Sequence, residues 1–131
     1  MTHLKSVHHI NFLFHDLEAA VARFEALGIG PFDRDALPAR GVLTARAKVG
    51  ETWIVLVSPT DAASVPGRTL AERGEGFFLL SFGVDDLDAA IEQLGNAEDV
   101  VVGPPRPGLE DWRVADVDVG LDLALHLTEE S

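Results

Sequence analysis

A chain of 131 residues, 47% hydrophobic and 24% charged, has the composition of one folded core and excludes wholesale disorder. It has no cysteine, which excludes disulfides, thiolate metal sites and thiol nucleophiles. Its 22 acidic and 10 basic residues give a net charge of −12, which argues against nucleic acid and anionic membrane surfaces as partners. No apolar run approaches the ~20 residues of a membrane-spanning helix. The opening MTHLKSVHHI lacks a signal-peptide stretch, so a cytoplasmic location is expected.

In chain order, residues 7–14 are rich in branched and aromatic side chains and predict a strand. Leu17, Ala20, Val21, Phe24 and Leu27 then recur at helical spacing, with Asp16 placed to cap the helix and Gly28 to end it. Two strands follow, 41–49 and 52–58, joined by a turn at Gly50. A linker over 59–76 carries Pro59, Pro66 and Gly67 and a short helical piece, 69–73, stopped by Gly74. Residues 77–84 predict another strand. Leu87, Ala90, Ile91 and Leu94 form a second helical stripe, capped by Asp86 and ended by Gly95. A short apolar piece at 99–102, a proline-rich turn at 104–108, and strands over 112–118 and 122–128 complete the chain.

The two halves repeat. His15-Asp16-Leu17-Glu18-Ala19-Ala20-Val21 matches Asp85-Asp86-Leu87-Asp88-Ala89-Ala90-Ile91, and Phe12 falls on Phe82 at the same offset. The expected architecture is α+β: one domain of two tandem βαβββ modules, 5–58 and 77–129, joined by linker 59–76. Their mixed sheet would form a cup. Strand alternation sets the faces. Val7, His9, Asn11 and Leu13 of the first strand face the cup, and His8 points away. Phe77, Leu79, Ser81 and Gly83 of the fifth strand face in, while Phe78, Leu80, Phe82 and Val84 pack against helix. Asp122, Ala124, His126 and Thr128 of the last strand face in.

Four runs give this pattern a family likeness: His9-Ile10, Gly41-Val42-Leu43-Thr44-Ala45, Ile54-Val55-Leu56-Val57-Ser58-Pro59 and Arg73-Gly74-Glu75-Gly76-Phe77-Phe78-Leu79-Leu80. With the duplicated module, they resemble the vicinal oxygen chelate superfamily, also known as glyoxalase/bleomycin resistance/dioxygenase, and within it the methylmalonyl-CoA epimerase branch. The resemblance implies a metal site with one ligand from each of four strands. Those positions fall on His9, Val55, Leu79 and His126, and the family's catalytic glutamate falls on Ala39, beside Arg40. Two ligand positions are thus aliphatic and offer no lone pair, which makes the metal site degenerate.

His9 and His126 are the candidate catalytic residues, because imidazole donates and accepts protons near neutral pH. They are also the only two family ligand positions that keep a donor for a weakly held divalent metal. Such a metal would need a further carboxylate, from Glu51, Asp122 or a partner chain; with none recruited there is no cofactor. The bland alternative is a pair of partly buried histidines satisfied by their neighbours. Asn11, Ser81, Trp53, Val55, Leu79, Arg46 and Trp112 are the candidate substrate-binding residues. Arg40, Arg46, Lys48, Arg106 and Arg113 mark where an anionic group would be drawn in, and Asp116 or Asp122 is a possible acid or base.

Two functions remain open. One is an isomerase, epimerase or lyase moving a proton next to the carbonyl of a small carbonyl compound or acyl thioester. The other is a non-catalytic protein that sequesters a drug or metabolite. Either takes a small molecule in the cup. A homodimer is expected, because the superfamily often pairs modules across chains and open sheets gain from covered edges.

Overall fold

The computed structural model describes residues 4–109 and 111–130. In chain order the elements are β1 (Leu4–Leu13), α1 (Leu17–Glu25), β2 (Asp33–Leu37), a 3₁₀ turn (Pro38–Arg40), β3 (Val42–Val49), β4 (Thr52–Pro59), α2 (Val65–Arg73) and β5 (Gly76–Val84). α3 (Leu87–Gly95), β6 (Val101–Val102), β7 (Arg106–Pro107), β8 (Arg113–Asp118) and β9 (Ala124–Glu129) follow. This is an α+β chain in which a strand–helix–strands order occurs twice around α2. It divides into a central unit, residues 10–78, and a terminal unit made of the chain up to His9 and from Leu79 onward.

In the central unit the strand order is β2-β3-β4-β1. α1 lays Leu17, Ala20 and Val21 on Ala45, Ala47 and Leu56, with Phe12, Phe14 and Phe24 packed alongside. Each such large side chain, fully buried, contributes about 1.5–3 kcal/mol. Alternation sends Leu13, Val42, Val55 and Val57 to the other face, where Leu70 of α2, Trp53 and Phe78 join them. α2 sits directly on the preceding loop: a Cβ at Gly67 would overlap the Asp61 carbonyl oxygen and fall 2.9 Å from Ala62 Cα.

In the terminal unit the order is β1-β5-β9-β8-β6, with β7 on β8. β5 and β9 run parallel, while β8 is antiparallel to β9, β6 and β7. α3 packs Leu87 and Ala90 on Val84, Ala115 and Leu127. Both main helices start as expected: Asp16 accepts from Ala19 N–H at 3.1 Å and Asp86 from Ala89 N–H at 3.0 Å. A cap of this kind is worth about 1 kcal/mol.

Several local features differ from the sequence reading. β2, Asp-Arg-Asp-Ala-Leu, is a strand the charged sequence hid; it is the outermost strand of its unit, where charges are tolerated and discourage edge pairing. β7 forms inside the proline-rich stretch, possible because it pairs only with β8. α2 begins at Val65, not 69, because Ser64 caps it by accepting from Gly67 N–H and Pro66 fits its first turn. Gly95 lies within α3, which is capped by Asn96. At the start of β5 the faces are inverted: Phe77 meets Phe12 edge-on and Phe78 packs with Leu13 and Val55. Gly76, at φ 140°, sits at this entry to the strand.

Candidate active site

β1 carries His8 and His9 side by side, and both are buried, at 7% and 4% exposure. Alternation would send His8 to the opposite face. Instead its Nδ1 lies 2.8 Å from His9 Nδ1. Both rings close on Trp112, which stacks on His9 (ring centroids 5.1 Å apart, 18° between planes) and meets His8 edge-on at 4.5 Å. Gly83 of β5 lies beside this strand: a Cβ there would overlap Ser6 Oγ and touch His8 Cβ at an ordinary contact distance of 3.6 Å. His8 Nε2 donates to Glu130 Oε1 at 2.6 Å, just beyond the end of β9.

Burial, then the charges of His8 and His126, pushes the His9 pKa from 6.5 down to about 3. His9 is therefore neutral at physiological pH.

His126 sits opposite Asp116 in the β8–β9 ladder, and its Nε2–H donates to Asp116 Oδ1 at 2.7 Å. Arg106 holds the other oxygen of that carboxylate at 2.8 Å, with a second guanidinium nitrogen 3.4 Å from His126 Nε2. Asp116 is thus the acidic candidate that reaches a histidine. Ser81 is fully buried beside His126 in the β5–β9 register, and its hydroxyl is engaged with Thr128 Oγ1 at 2.6 Å. Leu79 is buried in the same strand. Arg113 is turned to other work, pairing with Asp88 at 3.2 Å and Glu129 at 3.7 Å. His8, Glu130 and the Asp116–His126 pairing complete this cluster. Only the adjacency of two histidines gave a sequence signal for His8.

The other candidates lie in the central unit. Arg46, 3% exposed, places its guanidinium 4.9 Å from the Trp53 ring centroid and its Nε 4.0 Å from Asp35 Oδ2. Lys48 Nζ lies 5.2 Å from the same ring. Val55 faces Arg46 across the β3–β4 ladder and is buried. Asn11 Oδ1, Asp35 Oδ2 and Thr44 Oγ1 are buried with no hydrogen-bond partner among the described residues.

The donor set does not fit the family's divalent metal. Two of its four positions are Val55 and Leu79, buried side chains without lone pairs. The other two, His9 and His126, supply two imidazoles, fewer than the three protein ligands a tight site takes. Among the described residues no group of three His, Asp or Glu side chains converges as metal ligands do.

The chain was compared with known proteins. A family model described as the glyoxalase/bleomycin resistance protein/dioxygenase superfamily matches residues 8–115. No curated protein matches. Among solved structures, methylmalonyl-CoA epimerase from Mycobacterium tuberculosis superposes with a TM-score of 0.91 at 23% identity, over 100% of this chain and 91% of that one. A methylmalonyl-CoA epimerase in complex with methylmalonyl-CoA and NH4+ gives 0.90 at 27% identity, over 98% and 96%. A Streptomyces coelicolor methylmalonyl-CoA epimerase variant in complex with 2-nitronate-propionyl-CoA gives the same values.

Proposed function

Because the chain belongs to the glyoxalase/bleomycin resistance protein/dioxygenase superfamily, we propose that it is an isomerase of the epimerase type, moving a proton next to the carbonyl of an acyl-CoA thioester. The observation that carries this reading is that one unit holds two imidazoles, each with a partner of its own: His9, neutral, with His8, and His126 with Asp116. The likeness at 27% identity to epimerases holding acyl-CoA ligands supports the substrate class.

The chemistry needs two groups that exchange roles. His9 Nε2 accepts the proton from the carbon next to the carbonyl, and the C–H electron pair moves into an enolate. His126, protonated on both nitrogens with its Nε2–H held by Asp116, gives its Nδ1 proton to the same carbon, and the enolate electron pair forms the new C–H bond. Delivery to the opposite face inverts the centre. Arg106, close to both Asp116 and His126, supplies positive charge for the developing oxyanion or for a carboxylate of the substrate. No step passes through a metal.

The test is exchange of the substrate proton in D2O, followed by NMR, with methylmalonyl-CoA and other α-branched acyl-CoA thioesters. The protein should deuterate at least one of them, and the His9→Ala/His126→Ala double variant should lose about 100-fold or more of that rate. Stoichiometric binding without exchange would replace the enzyme with a sequestering protein. Full activity in the double variant would remove the two histidines from the mechanism.

A further inference from the structure

We propose that Glu130 and His8 form a relay that sets the tautomer of His9 and presents its Nε2 as the proton-accepting atom. Glu130 and His8 are positioning residues in this scheme. Its catalytic meaning rests on the proposed role of His9, but the relay itself is a statement about the resting protein.

The assignment follows from counting protons along the chain of contacts. An ionised carboxylate only accepts, so the 2.6 Å contact requires the hydrogen to sit on His8 Nε2. With a single ring proton on His8, held on Nε2 by the carboxylate, its Nδ1 is bare. That bare nitrogen lies 2.8 Å from His9 Nδ1, so the bridging hydrogen must come from His9. A neutral His9 with its proton on Nδ1 has a bare Nε2, and no hydrogen bond occupies that atom among the described residues. One carboxylate thus fixes the protonation pattern of two rings in series. The second-ring effect is the same in kind as the carboxylate that orients a catalytic histidine elsewhere, extended by one imidazole.

Packing holds the series in place. His8 is 7% exposed and His9 4%. Trp112 covers one ring with its edge and the other with its face. Water therefore competes poorly for the Nδ1–Nδ1 contact, while Glu130 has 38% of its side chain exposed.

The test reads tautomers directly, without substrate, from the two-bond 1H–15N couplings of the imidazoles in labelled protein at neutral pH. The wild type should show His9 protonated on Nδ1 and bare on Nε2. Glu130→Gln, whose amide oxygen still accepts from His8, should keep that pattern; Glu130→Ala should give a mixture of tautomers. In the deuterium-exchange assay Glu130→Ala should lower kcat about tenfold with KM unchanged. A wild-type His9 carrying its proton on Nε2, or a Glu130→Ala variant with the wild-type tautomer, would overturn the relay. A correct tautomer pattern with no exchange on any thioester would leave the relay standing and remove the proposed function.

Discussion

In the central unit the strand face turned away from the helix is a wall of Leu13, Val42, Val55 and Val57, with one buried arginine beside it. In the terminal unit the corresponding face carries Ser81, His126 and Thr128, and the same unit buries His8 and His9. Both units use the same opening device, a strand followed by an aspartate-capped helix. The difference teaches that the shared device builds the scaffold, and that titratable chemistry has been placed in one copy of it. The central unit is held by apolar packing and tight backbone contact. The terminal unit holds protonatable groups whose charge state is part of its stability.

Acid separates the two most strongly. His9 stays neutral in the folded chain down to about pH 3, whereas in the unfolded chain it takes up a proton near pH 6.5. Between these values the unfolded state binds more protons, so stability falls as pH falls, by about 1.4 kcal/mol per pH unit from this group. Hydrogen exchange measured across that range should show the terminal unit losing protection first, and His9→Phe should flatten the dependence. Equal losses in both units would break the contrast.

Next in size is a purely steric effect in the central unit. Gly67→Ala forces a Cβ into the Asp61–Ala62 backbone and should cost about 1–3 kcal/mol in denaturant melts, with no change in the pH dependence. Arg46→Met should cost about 1 kcal/mol, because it removes the cation from the Trp53 ring and from Asp35; thermal melts at neutral pH would measure it. Arg34→Ala should leave the melting temperature unchanged, although it removes a double contact with Glu18, because that pair is solvent-exposed.

Much of the scaffold was legible because local signals agreed. Asp16 and Asp86 mark helix starts, the apolar stripes of α1 and α3 have the right period, and the repeat ties the halves together. β2 was not legible, since Asp33, Arg34 and Asp35 resemble a loop and only pairing with β3 makes them a strand. Within the candidate site, His9 and His126 stood out as donors at family ligand positions, and Asp116 as a candidate acid or base. His8 did not, because alternation assumes an ideal strand and its ring turns to meet His9 and Trp112. Glu130 was hidden for a different reason: an acidic pair near the end of a chain reads as solvated surface, and its partner is 122 positions away.

The bare backbone at position 83 gives a rule for reading other chains of this kind. A methyl group there would rest against His8 at ordinary contact distance, but it would collide with the Ser6 hydroxyl. A relative with the same histidine doublet and alanine at that point would keep its two rings together and turn the serine aside or replace it. That compensation would show as a pair of codon changes before any coordinates are known.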